Sequence, residues 1–272
     1  MCELEADMAD TGKAVSELFD LTGKVALVTG GTGFLGTAIS QALAEAGARV
    51  VISSRERAGG QAAASRLPGN GDHLGVQLDH MDSESIETGF AEAIEKAGQI
   101  DVLVNNGNEA QGNDWTDVTF DQFAGQQKNV AGYFTLARML RNHAVERGSG
   151  ANIVMLGSMY GQVASYPDAY AGVCVASPAG YHALKGGIIH LTRHLAVYWA
   201  ADGVRVNCLS PGPFPNLEKA PGEMVERLCE KSPMKRMGEP HELKGAIVFM
   251  ASEASSYMTG QNITIDGGWT AW

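Results

Sequence analysis

The chain has 272 residues, 44% of them hydrophobic, and a formal net charge of −11. That length suits one large α/β domain with a substantial core. The negative balance argues against a nucleic-acid partner, because a phosphate backbone attracts clustered lysine and arginine. A small anionic cofactor needs only a few local donors and stays compatible.

No apolar run approaches the ~20 residues of a membrane helix. The acidic start, Met1-Cys-Glu-Leu-Glu-Ala-Asp7, lacks the basic and apolar regions of a signal peptide. A cytoplasmic location without a membrane partner is therefore expected. Cys2, Cys174, Cys208 and Cys229 show neither Cys-x-x-Cys nor His-paired spacing, so reduced thiols and no metal centre are expected.

In chain order, residues 1–20 show no partner strand or clear periodicity and read as a tail or an interface extension. Residues 21–272 then alternate short β-branched runs with amphipathic stretches. Val25–Val28 reads as a first buried strand, followed by Thr29-Gly-Gly-Thr-Gly-Phe-Leu-Gly36 and a helix over Leu35–Ala46. Val50–Ile52, Val102–Val104, Ile153–Leu156 and Val204–Val206 are further strands. Ser83–Lys96, Phe120–Glu146 and Tyr181–Ala200 carry helical spacing, and Gly260–Gly268 holds a last strand closed by a turn. This alternation predicts a single α/β domain, a Rossmann-type doubly wound parallel sheet covered on both faces. Ligands in such sheets sit at the carboxyl ends of the strands.

Three features point to chemistry at that edge. The glycine loop, with Gly30, Thr32, Gly33, Leu35 and Gly36, lets the backbone turn tightly and approach a pyrophosphate at a helix N-terminus. At the end of the second strand, NAD-selective domains place an acid for the ribose hydroxyls. Here Ser54 stands there and Arg55 follows, so NADP(H) is favoured, with NAD(H) the alternative. Finally, Tyr181 alone among the seven tyrosines has a lysine, Lys185, four residues on. On a helix the two share a face, so the ammonium can favour the phenolate and ready the phenol for proton exchange.

In this order, with Asn105-Asn-Gly-Asn108 and Pro211-Gly212, these motifs resemble the short-chain dehydrogenase/reductase family from about Asp20 to Trp272. The spacing of Gly30, Gly33 and Gly36 is that of the extended, sugar-nucleotide subgroup, with Phe34 in the middle glycine position of the single-domain one. The segments Gly238-Glu-Pro-His-Glu-Leu243, Ala251-Ser-Glu-Ala-Ser-Ser256 and Asp266-Gly-Gly268 fit the single-domain subgroup and leave no room for a separate substrate domain. The single-domain subgroup is the assignment.

The resemblance implies roles for individual residues. Ser158 would polarise a substrate carbonyl, Tyr181 would exchange the proton, and Lys185 would tune it and bond the nicotinamide ribose. Asn129 would hold a water in the proton relay. Asp79, with His80 beside it, would meet the adenine; Asn106 and Gly107 would line the cofactor, and Pro211 and Gly212 would turn beside the nicotinamide. Two departures stand out. Ser158 and Tyr181 lie farther apart than is usual in the family, so Met159–Gly180 contains an insertion. Asn216 stands near the position of a common carboxamide-binding threonine. Tyr170 has nearly the usual spacing from Ser158, but Cys174 occupies the place of its lysine.

Leu18–Lys24 and Ile265–Trp272 resemble gluconate 5-dehydrogenases and related sugar-acid or polyol reductases. The implied substrate is a hydroxylated small molecule touching Ser158, Tyr160 and Tyr181, with Tyr160, Tyr166 or Tyr170 facing the cleft from the insertion. A 3-ketoacyl-carrier-protein reductase and a non-catalytic NADPH-binding regulator are the alternatives. Members of the subgroup pair the helices that correspond to Phe120–Glu146 and Tyr181–Ala200, which implies a homo-oligomer, a tetramer or a dimer. The apolar ending Trp269–Trp272 would suit a second interface.

Overall fold

Val25-Ala-Leu-Val28 is apolar throughout and buried on both faces, which a strand achieves only inside a sheet covered on both sides. A computed structural model of the chain, describing residues 12–69, 71–110 and 112–271, shows that sheet. Its strands are β1 (Val25–Val28), β2 (Arg49–Ser54), β3 (Leu74–Gln77), β4 (Val102–Asn105), β5 (Ala151–Leu156), β6 (Val204–Pro211) and β7 (Asn262–Ile265). All pair in parallel, in the order β3-β2-β1-β4-β5-β6-β7.

Alternate strand residues feed two core layers. Leu27, Val51, Leu103 and Ile153 pack under helices α4 (Ser83–Ala97), α5 (Phe120–Glu146) and α7 (Ala179–Trp199), meeting Phe90, Leu136 and Ile188. Val28, Val50, Val104 and Val154 face the other way. They meet Ile39 and Leu43 of α2 (Phe34–Glu45) and Ile247 of α9 (Lys244–Ala251). The fold is the expected doubly wound α/β domain. The long helix α5 begins where its sequence is built to begin: Thr119 Oγ1 accepts from the Gln122 amide while Gln122 Oε1 accepts from the Thr119 amide.

Four shorter helices complete the α-helices of the described residues: α1 (Val15–Leu18), α3 (Arg57–Ala64), α6 (Pro167–Tyr170) and α8 (Gly222–Lys231). Before β1, part of the expected tail is ordered as a single helical turn, Val15–Leu18. Phe19 then lies 6.4 Å from Phe249, and the Leu21 amide donates to Ala46 O at 2.8 Å. Residues 1–11, with Cys2, lie outside the described residues.

The insertion is a folded wall. Met159–Gly161 makes a 3-10 turn, α6 follows, and Met159, Ala169 and Tyr170 form a third apolar cluster with Leu228, Met237 and Trp269. Trp269 is only 2% exposed and meets Tyr166 edge-on at 5.4 Å. It is core within the chain and not the interface residue its sequence position suggested. Trp272 lies outside the described residues.

Sheet order reverses between β1 and β4, whose carboxyl ends therefore open a crevice rather than being roofed by one connection. The residues of interest converge on that edge.

Candidate active site

The turn from β1 into α2 is shaped by a glycine and braced by the segment after β4. Gly30 has φ +59°, a left-handed conformation open to glycine. A side chain there would also meet Gly107 Cα at 2.8 Å. Thr29 Oγ1 accepts from the Asn106 and Gly107 amides, both at 2.9 Å, and Asn106 Nδ2 donates to Thr29 O and Gly30 O. The Asn105–Asn108 segment is thereby fastened to the glycine loop.

Below the loop lies a cleft of about 870 Å³, walled by Gly30, Thr32, Gly33, Leu35, Gly36, Ser54, Arg55, His80, Asn106 and Gly107. The first-turn amides of α2 have no carbonyl one turn before them and open towards this cleft. A close backbone cradle at a helix N-terminus fits a dinucleotide pyrophosphate. Arg55 stands at the mouth, its Nη1 3.0 Å from Glu109 Oε2. Their side chains are 68% and 51% exposed, so this pair contributes little and can part for a ligand.

Asp79 is placed otherwise than implied. Its carboxylate accepts from the Met81 amide at 2.9 Å, and Leu78 and His80, not Asp79, line the cleft. Asn129 bonds its neighbours through both ends of its amide. Its Oδ1 accepts from His80 Nε2 (2.9 Å) and the Glu109 amide (2.8 Å), while Nδ2 donates to Glu109 O and Gln126 O. Both polar atoms are engaged and the residue is buried. The side chain is a clamp on Glu109 and His80.

Ser158 follows β5, and Tyr181 and Lys185 stand in the first turns of α7, where they meet. A hydrogen bond from the Ser158 hydroxyl pulls the Tyr181 phenol down, but burial outweighs it and pushes the phenol above its ordinary value. The expected lowering by Lys185 is not what this geometry provides. The ammonium donates to Leu156 O at 2.8 Å and sits 5.5 Å from the Tyr181 ring centre. Burial brings Lys185 down to about 8.

A cavity of about 200 Å³ bounded by Leu35, Asn106, Lys185, Pro211 and Gly212 adjoins the cofactor cleft. It shares Ser158, Tyr181 and Phe214 with a second cavity of about 330 Å³. In that second cavity, Met159, Phe214 and Leu228 supply apolar surface, and Gln126, Tyr160, Tyr170 and Ser177 supply polar groups. Tyr160 and Tyr170 join hydroxyls at 2.7 Å, and His182 stacks on Tyr160 at 4.7 Å. Tyr166 does not line this cavity; it is wedged between Trp269 and Lys231. Asn216 is likewise outside it, its Oδ1 capping the Glu218 amide.

Sequence reasoning missed Gln126, Phe214 and Leu228. Gln126 lies three residues before Asn129, close to one helical turn away, and that spacing was the available signal. Among the described residues, no cluster of His, Cys, Asp and Glu could hold a metal, and no helix is long and apolar enough to cross a membrane. Cys174, Cys208 and Cys229 are free thiols.

The family described as enoyl-(acyl carrier protein) reductase matches residues 33–270. Galactitol 2-dehydrogenase (L-tagatose-forming) of Cereibacter sphaeroides is 37% identical over 263 residues, 94% of this chain and 98% of the relative. A gluconate 5-dehydrogenase from Burkholderia cenocepacia, solved in complex with NADP and tartrate, superposes with a TM-score of 0.86. It is 28% identical, over 95% of this chain and all of that one. A short-chain dehydrogenase from Leptospira borgpetersenii with bound NAD+ gives 0.82 at 30% identity, covering 95% and 96% of the two chains. The chain belongs to the short-chain dehydrogenase/reductase family, in its single-domain form, and is an oxidoreductase acting on CH–OH groups.

Proposed function

We propose that this oxidoreductase interconverts a secondary alcohol and a ketone on a polyol or sugar acid, with NADP(H) as the preferred cofactor. The observation that carries the reading is the pair Ser158 and Tyr181. It stands in the wall shared by a cavity leading to the dinucleotide cleft and one with polar side chains. Galactitol and gluconate in the relatives' names support the substrate class.

Gly30, Gly33 and Gly36 with the α2 N-terminus would hold the pyrophosphate, Arg55 a 2′-phosphate, and Lys185, Pro211 and Gly212 the nicotinamide end. Bound there, the cofactor supplies or accepts the hydride. Ser158 holds the substrate oxygen beside Tyr181, which gives that oxygen a proton in ketone reduction and takes it back in alcohol oxidation. Lys185, drawn from Leu156 O, carries the positive charge that this exchange needs nearby.

The direction of the pKa shifts fixes a pH dependence. Below about 8 Lys185 is charged, and Tyr181, pushed up by burial, holds its proton. Ketone reduction should be level near neutrality and fall as pH rises through about 8, where Lys185 loses its charge, and alcohol oxidation should rise with pH only as far as that charge persists. Initial rates in both directions across that range check this, and reduction undiminished well above 8 would contradict it.

Arg55→Ala should weaken NADPH about ten- to a hundredfold and leave NADH nearly untouched, since one charge-assisted contact is lost. Equal binding of both cofactors by the unmodified protein, measured by titration, would count against it. α7 leaves Val197 77% and Tyr198 69% exposed, which supports the homo-oligomer, a tetramer or dimer. Light scattering at micromolar concentration should show it, and a monomer would refute it.

The deciding experiment is a panel of polyols, sugar acids and β-ketoesters assayed with NADPH and NADH. Turnover of polyols or sugar acids is the expected result. Reduction of β-ketoesters alone would replace this reading with that of a carrier-linked reductase, and no turnover of any member would favour a cofactor-binding regulator.

A further inference from the structure

Gln126 carries an obligation that the protein itself leaves unmet. The residue is 3% exposed on α5 and lines the 330 Å³ cavity together with Ser158 and Tyr181. Its Nε2 donates to Glu109 O at 3.0 Å. That bond fixes which end of the amide is which, because a carbonyl can only be approached by the NH₂ end. The other end, Oε1, is buried and has no hydrogen-bond partner among the described residues. A buried acceptor without a donor is costly, and native proteins rarely keep one without a use.

Its position ties it to the reacting centre. A side chain on Gly180, the residue before Tyr181, would meet Gln126 Cβ and Cγ at 3.3 Å, so Gln126 packs against the backbone that carries the phenol. Ser158 and Tyr181 together take one substrate oxygen. Gln126 lines the same cavity, and its unpaired acceptor suits a second O–H of the same molecule. An acyl chain or a simple ketone brings no donor there and leaves Oε1 unpaired, which penalises it.

The geometry points to Gln126 as a specificity-determining residue whose Oε1 accepts a hydrogen bond from a substrate hydroxyl other than the one being oxidised. This rests on the reading of the cavity as the substrate site of a polyol or sugar-acid dehydrogenase. It adds that the enzyme selects for the additional hydroxyl and names the residue that does so.

The test compares cyclohexane-1,2-diol with cyclohexanol, two alcohols that differ by one hydroxyl, on the full-length enzyme with its cofactor. The unmodified enzyme should prefer the diol in kcat/KM by about five- to a hundredfold, the range expected when one buried acceptor gains its donor. Gln126→Met, which keeps the length of the side chain, should lose that preference because kcat/KM falls much further on the diol than on cyclohexanol. A ratio near one in the unmodified enzyme overturns the inference without requiring any variant to fold. So does a preference that survives Gln126→Met, or an equal fall on both alcohols, which would mark a structural role. An unmodified enzyme inert towards both alcohols but active on a β-ketoester would instead overturn the underlying reading of the site.

Discussion

Tyr181→Phe should cut turnover by about a hundred- to ten-thousandfold, the usual worth of a positioned proton donor, in both directions of the reaction. The substitution removes one oxygen and keeps the ring. The phenol oxygen has Ser158 as its hydrogen-bond partner, and the ring that packs around it is kept. Melting temperature and cofactor affinity should therefore stay close to those of the parent. Tyr170→Phe is the matched control, since Tyr170 reaches the same cavity but bonds Tyr160, with Cys174 where a partnering lysine would stand. If Tyr170→Phe abolished activity and Tyr181→Phe did not, the assignment of the proton-exchanging phenol would be wrong.

Gly36→Val should abolish cofactor binding and lower stability as well. A Cβ at Gly36 would lie 2.2 Å from Gly30 O, 2.8 Å from Asn106 Nδ2 and 2.9 Å from Gly31 Cα. The obstacles are backbone and a clamped amide, which cannot rotate aside as a free side chain would. Either α2 moves away from the loop or the loop loses the turn at Gly30, and both destroy the cradle. Overpacking of this kind costs about 1–3 kcal/mol in stability and sometimes more. Fluorescence titration with NADPH should show no saturation where the parent saturates. Retained affinity would mean that the pyrophosphate is held elsewhere.

Much of this was legible from local pattern. Strand positions followed from β-branched runs, and the α5 range from its periodicity. Tyr181 rather than Tyr170 could be chosen from the lysine four residues on. What stayed hidden depended on partners far along the chain. Nothing in the sequence around Asn129 announces that Glu109 and His80 would fill its carboxamide. Arg55 read as an open guanidinium, whereas Glu109, 54 residues later, meets it across the cleft. Trp269 read as a surface anchor because a terminal apolar residue has no visible cover; the cover is the insertion, about a hundred residues earlier. Short elements such as β3 and α3 were undelimited, since four to eight residues with a glycine inside give too few repeats to show a period.

The placement of β1 has a consequence for how the chain reaches this state. β1 pairs with β2 on one side, about two dozen residues away, but with β4 on the other, with Ala26 opposite Val102 and Val28 opposite Val104. The glycine loop leans on that distant neighbour, because the Thr29 amide bonds Val104 O and its hydroxyl receives the amides of Asn106 and Gly107. During synthesis the loop therefore emerges well before the segment that braces it. Closure of a long stretch of chain must precede the reward of those contacts, and folding dominated by such separations is slow. A nascent chain that ends before β4 has the glycines of the nucleotide cradle but nothing to hold them in shape.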